Sequence, residues 1–220
     1  MYTGSANYNA DCENSDVDSW AIVVEEHYDP ATYEVQMHRF QDEIIWFCDI
    51  RAFINGLSFS DFWYLQALYT KYKIINPQYK NLVDELYNKR EEYAYNNIQN
   101  FVDLISQRMD FVDIKYFDTE LDAHKREKAL YYSTIMYIGL LIYKYHEPFE
   151  SLFYNEYYAA HLLKIKNGNI SYEEGKKLYI TMAMAVKQFK SSLKDYPSNN
   201  NLFTFSEQIM QDFIQKYKNE

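Results

Sequence analysis

The sequence predicts an all-α protein: about seven helices in a compact antiparallel bundle around a central apolar helix at 118–145. Three observations predict it. Five Gly and four Pro in 220 residues leave little material for turns, which draw heavily on both. Apolar residues recur at intervals of three and four along most of the chain, the period of a helix with one buried face. Capping residues stand where those runs begin, and Asn-Gly or Pro where they end.

Residues 1–18 are polar, acidic and aperiodic, and read as a mobile acidic tail ahead of a single helical domain at 19–220. The stretch SWAIVV at 19–24 is short and β-branched, and suits either a strand or a first helical turn. Asp29 and Pro30 have the pattern of N-cap and first helical residue. Met37, Phe40, Ile44, Phe47, Cys48 and Arg51 then follow at helical spacing up to Asn55 and Gly56. The stretch SFSD at 58–61 reads as the next cap, opening a helix through Phe62, Leu65, Leu68 and Tyr72. Asn76 and Pro77 open a longer, more polar helix through Leu82, Leu86, Tyr93, Ile98, Val102 and Ile105. Residues 111–117 (FVDIKYF) look extended and read as a linker.

Asp118 or Thr119 caps the central helix. Its apolar middle, KALYYSTIMYIGLLIYK at 128–144, raises the question of a membrane span. Fifteen uncharged residues separate Lys128 from Lys144, and as a helix they reach only roughly 22 Å. A bilayer core is about 30 Å thick, and Ser133, Thr134 and four tyrosines interrupt the run. It reads as a buried core helix. Pro148 ends it by removing a donor and crowding the preceding turn. A fifth helix covers 149–166 and stops at Asn167 and Gly168. Ser171 and Glu174 form a capping box for the sixth, which runs to about Lys194. The loop 195–201 leads to a last amphipathic helix, capped by TFSE at 204–207, whose stripe Phe205, Ile209, Phe213, Tyr217 closes the core.

Charge is unevenly placed. The net charge is −10, and residues 1–50 hold eleven acids and one base, Arg39. The remaining 170 residues balance at 21 acids and 21 bases. A pI near 5.0 argues against direct nucleic-acid binding, and the lysines of the sixth helix read as a solvated face. The start of the chain has neither a basic n-region nor an apolar h-region, so a cytoplasmic location is expected, or the host cytoplasm for a viral protein. The 24 tyrosines and the Asn runs suggest AT-rich coding, as in viruses and mobile elements. Cys12 and Cys48 make neither a disulfide framework nor a zinc site, and Cys48 reads as a small buried hydrophobe.

Phosphate-binding glycine loops, a GxSxG elbow, HExxH and CxxC are all absent from the sequence, and no cofactor is expected. His and carboxylate pairs recur at four-residue spacing: Glu34, His38 and Asp42; Glu120 and His124; His146 and Glu150. On helices each set shares a face. Glu120, His124, His146 and Glu150 are the weak metal candidates, and a metal-dependent helical hydrolase is one alternative reading. They flank the two ends of the central helix, 22 residues or roughly 33 Å apart, which argues against one shared site. The strongest non-structural signal is the acidic N-terminal segment, because such a field attracts basic surfaces and speeds their docking. The leading expectation is therefore a non-enzymatic inhibitor, of the immunity or anti-defence type, that docks on a basic, nucleic-acid-handling protein. Asp16, Asp18, Glu25, Glu26 and Asp29 would supply the charge, with Tyr28 and Tyr33 as aromatic anchors. A structural subunit or homo-oligomer is the other alternative.

Overall fold

Val17–Val23 and Glu43–Asp49 are rich in β-branched and aromatic side chains, and both are strands. The computed structural model describes residues 1–3, 8, 17–40, 43–116, 123–193 and 200–218. Helices dominate these residues, with ten α-helices beside a small sheet. The chain divides into two compact units. The first takes the described residues of Met1–Asn7, Cys12–Asn97 and Pro197–Glu220, and the second those of Tyr8–Asp11 and Ile98–Tyr196.

The first unit holds the sheet. Strands β1 (Tyr2–Thr3), β2 (Val17–Val23), β3 (Gln36–Phe40) and β4 (Glu43–Asp49) lie in the order β1-β2-β4-β3. β2 runs parallel to β4, with Trp20 opposite Trp46 and Val23 opposite Asp49. β3 runs antiparallel to β4, with His38 opposite Ile45. The helix expected from Asp29 up to Asn55 and Gly56 thus gives way to two strands, and only its end, from Ile50, is helical. The unbroken apolar run Ile44–Cys48 suits a buried helix and a strand pairing on both edges alike. Asp29 does cap, but only a turn: its carboxylate accepts from Ala31 N at 3.0 Å and Thr32 Oγ1 at 3.1 Å.

One sheet face packs on the helices that follow, α1 (Ile50–Ser58) and α2 (Phe62–Tyr69). The Tyr64 ring lies 5.2 Å from Trp20 and 5.9 Å from Phe53. Gly56 sits inside α1 rather than ending it, and a Cβ there would fall within the Tyr64 ring. Asp61 is itself the cap of α2, accepting from Trp63 N at 2.9 Å, while Ser58 is the last residue of α1. Asn76 accepts from Gln78 N and opens a 3-10 turn at Pro77–Tyr79. The single long helix expected beyond it is broken into α3 (Lys80–Asn88), α4 (Arg90–Asn96) and α5 (Ile98–Tyr116). Residues 111–116, expected as an extended linker, belong to α5.

The final helix, α10 (Asn200–Lys218), starts before the expected cap, and Ser206 is buried rather than capping. Its hydroxyl receives a bond from Ser58 Oγ at 2.8 Å and lies 3.0 Å from the Tyr93 hydroxyl. Ser60 Oγ donates to Tyr93 O and accepts from Asn97 N, both at 2.7 Å. These partners satisfy buried polar groups that would otherwise be costly, and they tie α1, α4 and α10 together within the unit.

The second unit is helical. α6 (Ala123–Tyr145) packs against α5, α7 (Ser151–Tyr154), α8 (Glu156–Lys166) and α9 (Tyr172–Ser192). Leu130, Ile135, Ile138 and Ile142 are buried in it. Ser133 and Thr134 are buried too, and their hydroxyls bond back to Ala129 O and Leu130 O, so they add no unsatisfied group to the core. Gly139 admits the Phe101 ring, whose tip would lie 2.7 Å from an added Cβ. From Phe101 an aromatic chain continues through Tyr143 (4.8 Å), Phe149 and Phe153 to Tyr8 (5.4 Å).

The breaks near 147 and 168 fall where expected. His146 takes a left-handed φ of 56° and Glu147 N reaches back to Ile142 O, closing α6 ahead of Pro148. Gly168, at φ 67°, closes α8 in the same manner. The element expected as one helix at 149–166 is two, because Asn155 interrupts it and caps α8 through Tyr157 N. The capping box of Ser171 and Glu174 forms as expected. Asp118, Thr119 and residues 195–199 lie outside the described residues. No helix among the described residues is long and apolar enough to cross a membrane.

Candidate functional site

β4 lies between β2 and β3, so the chain leaving β2 must cross the end of β4 before it can enter β3. The crossing segment is 24–35, and it carries most of the acids and tyrosines singled out by sequence. Asp49 stands at that end of β4 and is fully buried. Its carboxylate accepts from Glu25 N at 2.8 Å, which fixes the start of the crossing. It also accepts from Arg51 N at 2.8 Å, which caps α1. The Arg51 guanidinium closes on both carboxylate oxygens, with Nε at 2.7 Å and Nη2 at 2.8 Å. Such forked, charge-assisted pairs are the strong ones. Nη2 also donates to Glu25 O at 2.7 Å. Burial opposes the charge on Asp49, but the Arg51 guanidinium and the Glu25 and Arg51 amides outweigh it and hold the carboxyl below its ordinary range.

The two tyrosines complete the anchor. The Tyr33 hydroxyl accepts from Asp49 N at 2.6 Å and donates to Glu25 Oε1 at 3.4 Å. Tyr28 lies under the Arg51 guanidinium, 4.3 Å from ring centre to Cζ, and its ring is 5.1 Å from that of Tyr33. Tyr28 and Tyr33 therefore act inwardly, holding the crossing segment on Asp49 and Arg51. Burial, with Asp49 beside it, pushes the Cys48 thiol up to about 12. Cys48 is fully buried and packs as a small apolar residue. Burial also raises the Tyr33 phenol. Neither group is activated as a nucleophile or base at neutral pH.

The anchored segment itself encloses an open cleft of about 390 Å³, with Glu25, His27, Asp29, Tyr33 and Glu34 among its lining residues. Glu26, Asp29 and Glu34 are exposed and Glu25 is half-buried. The fold thus brings Glu25, Glu26, Asp29 and Glu34 onto one connection. Asp18 is elsewhere: it lies near the start of β2, opposite Ile44 and Thr3, roughly 17 Å along the strand from Val23. Asp16 lies outside the described residues.

Of the metal candidates, His146 and Glu150 are among the described residues. Glu120 and the His124 side chain are outside the described residues. His146 forms the left-handed end of α6, and Glu150 precedes α7. His38 is in a strand and Glu34 in the crossing, so the shared helix face assumed for them does not exist. Among the described residues no group of three His, Cys, Asp or Glu is placed to hold a metal ion.

Sequence reasoning missed the pair that organises the site. Asp49 counted only as one acid among eleven, and Arg51 only as a helix-face residue. The available signal was Asp-x-Arg after an apolar run: an aspartate is a preferred N-cap where a strand passes into a helix. The exposed β3 was missed with it. Comparison with protein-family models, with curated proteins and with solved structures returns no match.

Proposed function

We propose that the protein is a non-enzymatic binding module whose acidic β2–β3 connection docks on a basic protein. The observation that carries this reading is the anchoring of that connection. A flexible acidic loop would lose conformational freedom on binding, at a cost for each side chain immobilised. Here Asp49, Arg51, Tyr28 and Tyr33 hold the backbone in place beforehand while Glu26, Asp29 and Glu34 face outward. Fixed like charges also steer a basic partner into encounter. An inhibitor that covers the charged groove of a nucleic-acid-handling protein, as immunity and anti-defence proteins do, fits this arrangement.

The test is a pull-down from host lysate at low salt, eluted with a salt gradient, using the native chain and the variant Glu26→Lys/Asp29→Lys/Glu34→Lys as parallel baits. A basic protein held by the native bait, released at moderate salt and absent from the variant is the expected result. The same set of proteins on both baits refutes the reading. One observation favours a second reading, a homo-oligomeric subunit: Tyr145 and Tyr157 in the second unit are 62% and 67% exposed, and exposed aromatic groups are enriched at interfaces. A solution mass of one chain at high concentration dismisses it.

A further inference from the structure

β3 is an edge strand. Among the described residues it pairs with β4 alone. In an antiparallel ladder alternate residues turn their N–H and C=O groups to the partner, and those between turn them outward. An outward row of this kind is a template for another strand, and proteins guard it with Lys, Pro or a covering segment. The strand QMHRF has no Lys and no Pro; Arg39 is its one formally charged residue, so the negative charge lies at its Glu34 end, and all five residues are exposed. Met37 and Phe40 are each 55% exposed. On one face His38 stacks near Phe40 at 6.4 Å and meets the Phe47 ring of β4 edge-on at 5.2 Å, so the apolar surface runs from β4 out to the edge.

We propose that β3 accepts an extended, lysine- or arginine-rich segment of the partner protein as an added strand. Charge selects this occupant. The edge continues directly from the acidic connection: Glu34 lies two residues before β3, and Glu34 and Gln36 line the same cleft as Glu25 and Asp29. A strand laid along β3 passes this cluster at one end. A second copy of the chain would bring a second set of the same acids, whereas a basic strand brings the opposite charge. The backbone ladder would supply affinity, and alternate side chains would be read separately. Apolar residues would meet His38, Phe40 and Phe47, and basic ones the acids.

This inference rests on the basic-partner reading, and one experiment separates the two. Three short peptides are titrated into the full chain with hydrogen exchange followed at 36–40: one alternating Lys and Val, the same peptide N-methylated at alternate residues, and one alternating Glu and Val. Protection of the β3 amides by the Lys peptide is expected. N-methylation should weaken its binding at least about tenfold, and so should Glu26→Lys/Asp29→Lys/Glu34→Lys in the protein. Equal binding of the N-methylated peptide overturns strand addition and leaves the basic-partner reading standing. Equal binding of the Glu peptide overturns the charge assignment in both. No protection by any peptide overturns strand addition, and the pull-down then decides the broader reading alone. Concentration-dependent protection of 36–40 in the free chain, with a doubled mass, assigns the edge to a second copy and overturns the proposal.

Discussion

The two units reach their folds by different physical routes. In the second, several helix limits are written locally. Ser171 and Glu174 open α9, and Gly168 closes α8. α6 is apolar enough to be buried against α5, α7, α8 and α9. These signals are local: a cap bonds an amide two or three residues away, and a helical face repeats within two turns. In the first unit the decisive bonds are long-range. β4 exists as a strand because β2 and β3 pair on its two edges, and the acidic connection is placed by Asp49, 24 residues from Glu25.

Spectroscopy can hold the two units apart, because the three tryptophans, Trp20, Trp46 and Trp63, all lie in the first. Their emission reads the first unit, while far-UV circular dichroism is weighted toward the long helices of the second. The largest effect expected is from Ile138→Asp. Ile138 is buried on α6, and an unpaired carboxylate there has no compensation. Loss of the helical dichroism, or insoluble expression, is the outcome; a native-like spectrum contradicts the burial of α6.

Next is Asp49→Ala. It removes the cap of α1 and the anchor of the connection together, and strands the Arg51 guanidinium. Arg51 keeps 17% of its side chain exposed, so the loss should sit at the low end for a broken buried pair, about 3 kcal/mol by urea titration of tryptophan emission. The same carboxyl sets a pH response. Its pKa is lowered in the folded chain, so its contribution is fully present above the unfolded value of about 4 and is lost as pH falls through the folded one. Acid should therefore weaken the first unit, and Asp49→Asn should flatten that part of the acid dependence.

Smaller effects sharpen the comparison. Gly56→Ala places a methyl inside the Tyr64 ring, and Tyr64 is held by Trp20 and Phe53. Overpacking of this kind costs about 1–3 kcal/mol, read as a lower urea midpoint in emission. Ser171→Ala removes only the side-chain half of a cap on an exposed helix start. About 1 kcal/mol is expected, read in dichroism.

The same contrast explains what was legible. The apolar centre at 128–144, the breaks at Pro148 and Gly168 and the capping box were all readable, because each signal and its effect lie within one turn of chain. The strands at 36–40 and 43–49 were not: Met37, Phe40, Ile44, Phe47 and Cys48 fall at helical spacing, and the unbroken run Ile44–Cys48 suits a buried helix as well as a buried strand. Nothing local distinguishes a helix face from a strand waiting for partners. Ser206 likewise has the look of a cap residue, and it is the hydroxyls of Ser58 and Tyr93 that bury it. The acids of the candidate site were visible by composition alone. Their closeness along 25–34 was legible too; their anchoring by Asp49 and Arg51 was not, and neither was the separation of Asp18 from Glu25.

By itself, then, the sequence determined a mostly helical chain, the apolar core of α6, the ends of α6 and α8, the start of α9 and the acidity of residues 1–50. Each of these rests on composition or on bonds spanning a few residues. Tertiary structure alone decided that 36–40 and 43–49 form strands, that β3 pairs with β4 alone among the described residues, and that Asp49 and Arg51 hold Glu25, Tyr28 and Tyr33. The physical reason is pairing at a distance: a strand's hydrogen bonds and a buried carboxylate's donors come from residues far along the chain, and only the folded backbone brings them within 3 Å of one another.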